Sequence, residues 1–236
     1  MIPLRDTIPA RRFPIVNIAL IALNVLVFLF QAALGPHQAE QLIWTAGLVP
    51  TRFWQVGGAS GWLPLFSSMF MHGGWWHLIS NMLALYIFGD NVEDRLGHAR
   101  YLLFYLFGGL VASGAHLAAY SGSSLPTVGA SGAIACVLGA YLVLYPHARV
   151  VTLVPIFYFI RIVELPALIY LGFWFISQLF NGLFALTATD VFQGGGVAWW
   201  AHIGGFIFGL VMIRLIAPRR RRPPPPRTYI DDQYRR

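Results

Sequence analysis

Apolar residues in this chain seldom alternate with polar ones. They come in long runs broken by short stretches that carry arginine, proline or glycine. A helix that crosses the hydrocarbon of a bilayer needs about 20 apolar residues, and a helix is the single-chain form that satisfies its own backbone there. By that measure six segments read as spans, at residues 14–35, 75–89, 101–120, 130–146, 165–187 and 198–217. The second is the shortest. The run from Val150 to Ile160, bounded by Arg149 and Arg161, is too short to cross and reads as interfacial. The fold class expected is all-α: a polytopic bundle of six transmembrane helices over residues 13–217, with a short N-terminal segment 1–12 and a tail 218–236.

Composition agrees with that reading. Of 236 residues 57% are hydrophobic and 11% charged, with a mean hydropathy of +0.64; a soluble domain carries about a quarter charged. Lysine is absent, and of the sixteen arginines fifteen fall on one side of a six-span path, leaving Arg52 opposite. The positive-inside rule then puts both termini in the cytoplasm, as in a multi-pass protein of a bacterial inner membrane. The net charge of +7 thus reads as topology and contact with membrane lipids, and nucleic acid is not an expected partner.

Pro3, Pro9 and Pro14 interrupt the N-terminal region, which does not read as a cleavable signal. The tail, with Arg219 to Arg222 and then Pro223 to Pro226, reads as disordered and drawn to anionic headgroups. The single cysteine, Cys136, excludes an intramolecular disulfide and reads as a packing residue. Seven of the eight tryptophans lie opposite the arginines: Trp44, Trp54 and Trp62 in the long loop 36–74, Trp75 and Trp76 at its end, and Trp199 and Trp200. They form an interfacial belt.

Polar residues in spans are costly and mark function. Three groups share the side opposite the arginines: Ser131 in Gly129-Ala130-Ser131-Gly132, His77 with Asn81 and the preceding His72, and His202 ahead of Gly205 and Gly209. Singly, each has a plain structural reading, since serine bonds back to its own helix and His or Asn can glue helices. Jointly they supply acyl-transfer chemistry, with Ser131 as nucleophile and His202 as base. The small faces Gly205/Gly209 and Gly132/Cys136/Ala140 would let two helices approach closely. Asn81, His77 and the Ser131 N–H are candidate oxyanion donors. No carboxylate is placed to complete a triad, so a dyad is expected. Ala133 departs from the Gly-x-Ser-x-Gly elbow.

The stretches "MHGGWWHLISNM" (71–82), "FGDNVEDRLG" (88–97), "GASGA" (129–133) and "AHIGGFIFG" (201–209), in that order, resemble the rhomboid family of intramembrane serine proteases. The resemblance covers roughly residues 12–217. It implies Ser131 as nucleophile, His202 as general base and then acid, and His77 with Asn81 at the oxyanion. It also implies cleavage of transmembrane protein substrates near their outer ends, without a cofactor or metal. Phe173, Trp174 and Phe175 would line a lateral gate, and the loop 194–196 a cap. Two positions depart from some members: Leu63 follows Trp62 where an arginine can stand, and Ala135 takes the place of an aromatic that would stack on His202. A non-catalytic relative that binds membrane helices is the alternative. A transporter would be expected to show paired broken helices and carboxylates inside its spans, and a metalloprotease a His-Glu-x-x-His motif.

Overall fold

Each long apolar run is helical in the computed structural model, which describes residues 1–56, 58–156, 159–187 and 197–218. After a strand β1 (Ile2–Asp6) comes α1 (Ile15–Ala33). The stretch 36–74, expected as a loop, folds into α2 (Pro36–Ala46), α3 (Pro50–Val56), α4 (Gly58–Ser67) and a 3-10 turn at Ser68–Phe70. Arg52 holds it together by donating to the carbonyls of Trp44 at 2.5 Å and Gly47 at 2.6 Å, which satisfies the C-terminal end of α2. Then follow α5 (Trp75–Leu96), α6 (His98–Ala119), α7 (Ser131–Leu144), strands β2 (Arg149–Ile156) and β3 (Phe159–Pro166), α8 (Ala167–Thr187) and α9 (Trp199–Ile216).

Four of these helices, α1, α6, α8 and α9, are long and apolar enough to cross a membrane, and the chain is a multi-pass integral membrane protein. The short α7, 14 residues, is apolar throughout its described core, and α5 runs on to Leu96 through Asp90, Glu93, Asp94 and Arg95, past the expected end at residue 89. The tail 219–236 and the cap 194–196 lie outside the described residues.

The chain is mostly helical, but it is not all-α. The stretch read as interfacial belongs to an antiparallel sheet of order β1-β2-β3, with Arg149 opposite Pro166 and Ile2 opposite Leu153. A short apolar run rich in β-branched residues looks alike in sequence whether it becomes a strand or a buried helix; here Val150, Val151, Thr152 and Val154 favour the strand. The same sheet gives the N-terminal segment a structure it was not expected to have.

At the sheet end of the bundle, α1 has Pro14 before it and no acid in its first turn. Glu93 of α5 supplies the missing cap: its two carboxylate oxygens accept the backbone N–H groups of Val16 at 2.9 Å and Asn17 at 2.7 Å. Gly89 makes the approach possible, because a β-carbon there would overlap Asn17 Oδ1.

The core centres on α7, buried from Gly132 to Tyr141 and packed on α9, α6 and α5. Small residues set those distances. A β-carbon on Gly205 would overlap the Gly132 carbonyl oxygen, one on Gly209 that of Cys136, and one on Gly139 that of Phe206. Cys136 is buried against Gly108 of α6, as expected of a packing residue.

Candidate active site

Ser131 is the first residue of α7, so its own N–H precedes the first helical bond, from Ile134 N–H to Ala130 O at 3.0 Å. The first-turn N–H groups of α7 are therefore free of helical partners, and the positive end of the helix lies at Ser131. The irregular backbone before it is pinned. Leu48 and Thr127 exchange backbone bonds of 3.0 and 2.8 Å, Thr51 N–H donates to Ser123 O at 3.0 Å, and Gly129 N–H donates to Ser68 O at 2.8 Å. His116 Nε2 and Thr127 Oγ1 lie 2.8 Å apart. Backbone at membrane depth is tolerable only when it is satisfied in this way.

His202 lies in the first turn of α9, and its Nε2 is 2.7 Å from Ser131 Oγ. Its Nδ1 is 2.8 Å from Gln178 Oε1 on α8. The Trp174 ring lies 5.9 Å from the imidazole, tilted by 33°, and Trp199 meets its edge at 6.3 Å. The position left open by Ala135 is thus served from α8 and α9. His202 is 7% exposed, which shields the contact while leaving Ser131 half-buried and reachable.

His77, two residues into α5, accepts a 3.4 Å bond from Gly73 N–H at Nδ1. That leaves Nε2 to carry the proton, and Nε2 points at Gly129: a β-carbon built there would lie 2.7 Å from it. Gly129, at φ +137°, keeps this space open and lies next to Ser131 Oγ. Asn81, one turn on, is buried, and its Nδ2 has no acceptor among the described residues. His72 packs edge-on to His77 at 5.1 Å, its ring nitrogens buried and unpartnered among the described residues. Its backbone is held from α1, where Gln31 accepts from His72 N–H at 3.1 Å and donates to its carbonyl at 3.3 Å.

Of the residues expected at a gate, Phe173 is exposed, Trp174 packs on His202 and Phe206, and Phe175 stacks on Phe206 at 4.7 Å. A cavity of about 30 Å³ opens beside Ser131 and is bordered by Ser68, Ser113, His116, Thr127 and Gly129. Apolar groups such as Leu48, Met69 and Val128 line the rest of it, and it is large enough for water beside those polar groups.

Three residues here were not picked out from the sequence. Gln178 and His116 sit in apolar runs beside other polar residues, and Ser68 lies in the long loop. A glutamine inside a span, costly in lipid, was the clue available.

Comparison with known proteins bears on this arrangement. The Rhomboid domain family matches residues 59–219, more than half of the chain. The presenilin-associated rhomboid-like protein A, mitochondrial, of Danio rerio is 31% identical over 159 residues, which is 63% of this chain and 36% of that protein. Rhomboid protein 1, mitochondrial, of Saccharomyces cerevisiae is 29% identical over 153 residues, 63% of this chain and 40% of that protein. YdcA of Bacillus subtilis is 32% identical over 135 residues, 56% of this chain and 63% of that protein. The chain therefore spans well under half the length of the two mitochondrial relatives.

Proposed function

The chain belongs to the rhomboid family, and from that premise we propose that it is an intramembrane serine endopeptidase working through a Ser131–His202 dyad. The observation that carries this reading is the 2.7 Å contact between Ser131 Oγ and His202 Nε2, formed across 71 residues at the start of α7. A serine at that contact becomes nucleophilic when the imidazole takes its proton.

The reaction then runs in two halves. Ser131 Oγ attacks the scissile carbonyl carbon as its proton passes to His202 Nε2. The oxyanion settles among the Ser131 N–H, the Asn81 amide and His77 Nε2–H, each such donor worth about 3–4 kcal/mol in a well-formed hole. The C–N bond breaks as His202 gives its proton to the leaving amine. Water then attacks the acyl ester, loses a proton to His202, and Ser131 Oγ departs and regains one. The cavity beside Ser131 has room for that water and offers it the polar groups of Ser113, His116 and Thr127. Ser131 sits at the mouth of an apolar helix because the substrate bond arrives from lipid while water arrives from outside.

The substrates we assign are transmembrane segments of membrane proteins, cut near their outer ends. They reach the dyad between α5 and α8, which meet at Phe88 and Tyr170, near the sheet end. Above that point Phe173, Trp174 and Phe175 form the gate. The membrane domain we propose is a six-helix bundle over residues 13–217, in which α5 and α7 cross together with α1, α6, α8 and α9. The arginine asymmetry supports cytoplasmic termini and lipid contact by the tail 218–236, and the membrane we assign is a bacterial inner membrane. No cofactor or metal is assigned to the reaction.

Cleavage of a reporter transmembrane substrate in liposomes tests the reading, with Ser131→Ala, His202→Ala and an excess of chelator run in parallel. Cleavage lost in both folded variants and kept in chelator is the expected result. Absence of cleavage, with no fluorophosphonate labelling of Ser131 and with transmembrane helices still bound, would make the chain a non-catalytic binder.

A further inference from the structure

A base that takes the serine proton must present a bare Nε2 to it, and a neutral imidazole does so only when its one proton sits on Nδ1. We propose that Gln178 is the positioning residue that fixes this tautomer, completing a Ser131–His202–Gln178 line in which a neutral amide stands where a carboxylate stands in a soluble triad. The inference rests on the protease reading above for its catalytic meaning, although the tautomer can be measured separately.

The geometry is specific in its direction. Gln178 Oε1 lies 2.8 Å from His202 Nδ1, and Gln178 is itself only 6% exposed. An amide can be turned end for end, so its orientation has to be set by its other partners. Gln178 Nε2 donates to Trp174 O at 3.2 Å and to Ser177 Oγ at 3.0 Å, and Ser177 Oγ–H in turn donates to Trp174 O at 2.6 Å. Turning the amide would set an oxygen against two acceptor positions and forfeit both bonds. The oxygen therefore faces His202, and an oxygen can accept only from Nδ1–H. With that proton placed, the lone pair of Nε2 faces Ser131 Oγ at 2.7 Å. The other tautomer would put a lone pair against the Gln178 oxygen and an N–H against the Ser131 hydroxyl.

The aromatic neighbours do a different job. Trp174 and Trp199 restrict the plane of the imidazole, but an aromatic face or edge does not choose between tautomers. Trp174 and Gln178 are four residues apart and share one face of α8. One helix thus supplies both the wall that holds the ring and the acceptor that sets its proton. The choice of an amide follows from location. A carboxylate at this depth would bring a charge into a span at considerable cost, whereas glutamine offers an acceptor with none.

The test compares Gln178→Met, which keeps length and removes the acceptor, with Gln178→Glu, which keeps an acceptor oxygen. Imidazole 15N shifts of His202, assigned by difference from His202→Asn, read the tautomer; steady-state kinetics and thermal unfolding run beside them. Wild type is expected to carry the proton on Nδ1. In Gln178→Met the His202 signal becomes a mixture of tautomers, and kcat falls about 100-fold with KM within about twofold, less than the roughly 10⁴-fold lost when the aspartate of a soluble triad is replaced. Gln178→Glu restores the Nδ1 proton and returns kcat to within about tenfold of wild type. An unchanged tautomer in Gln178→Met overturns the proposal, as does a wild type protonated on Nε2 or a kcat loss that merely follows the unfolded fraction. A wild type that keeps the Nδ1 proton, releases it in Gln178→Met, and yet neither cuts substrate nor labels with fluorophosphonate supports the positioning role and removes the protease reading alone.

Discussion

Gly205 and Gly132 face each other so closely that a β-carbon on the first would overlap the carbonyl oxygen of the second. Gly132 follows the nucleophile directly, and Gly205 comes three residues after the histidine. The separation of two backbones at this one point therefore sets the distance between Ser131 Oγ and His202 Nε2.

Gly205→Ala should then cost both stability and chemistry. The obstructing atom is backbone, which cannot rotate aside, so α7 and α9 must part; overpacking of this kind typically costs about 1–3 kcal/mol. Gly114→Ala in α6 is the control, because a β-carbon there meets nothing within 4 Å. It should be neutral or stabilising by about 0.4–1 kcal/mol, through reduced freedom of the unfolded chain. Thermal unfolding in detergent and the rate of fluorophosphonate labelling read the two effects. A Gly205→Ala protein as stable and as reactive as wild type would show that the close approach does not set the dyad.

Asn81→Ala separates an oxyanion donor from helix glue. The Asn81 Nδ2 group is buried without an acceptor among the described residues, a state that costs a fold about 1–3 kcal/mol. Removal should leave the melting temperature unchanged or raised, while kcat drops by about 10²–10³ with little change in KM. If stability and activity fall together, Asn81 is holding helices together and the oxyanion assignment fails.

Much of this arrangement was legible in sequence because lipid makes polar residues stand out: Ser131, His77, Asn81 and His202 are conspicuous against apolar runs. The small faces were readable for the same reason, and Gly205, Gly209 and Cys136 meet as their spacing suggested. What escaped was whatever depends on partners far along the chain. Glu93 lay beyond the expected end of its span at residue 89, yet it caps a helix 76 residues away. Gln178 acquires meaning only when α8 lies against α9. The strands were hidden because β-branched apolar residues satisfy either a strand or a buried helix until a neighbour with free backbone groups is supplied.

Glu93→Ala should destabilise the sheet end and spare the chemistry. It strips the acceptors from two N–H groups of α1, a loss of about 2 kcal/mol or more, and Glu93→Gln should lose roughly half as much. Hydrogen exchange at Val16 and Asn17 should accelerate in both variants. Turnover per folded molecule should stay within about twofold, because the dyad is at the other end of the bundle. A variant whose exchange and melting are unchanged would mean that water replaces the carboxylate there.

His72 provides an acid-sensitive strut in the turn that leads into α5. Burial, helped by the neighbouring His77, pushes its pKa down from 6.5 to about 4. The sign follows from proton counts: between pH 6.5 and 4 the unfolded chain holds a proton at this site and the folded chain does not. Stability is therefore fully present above about pH 6.5 and is lost as pH falls toward 4, by about 3 kcal/mol at most. His72→Phe retains a ring between Phe28 and His77 and leaves intact the backbone bonds to Gln31, which do not use the imidazole. Subtracting one pH profile of unfolding free energy from the other gives the contribution of position 72 together with its coupling to His77. The gap between variant and wild type should widen steadily from pH 7 to pH 4 in favour of the variant. Parallel profiles would mean that His72 meets its proton equally well in both states, and hence that the turn opens to water before the helices separate.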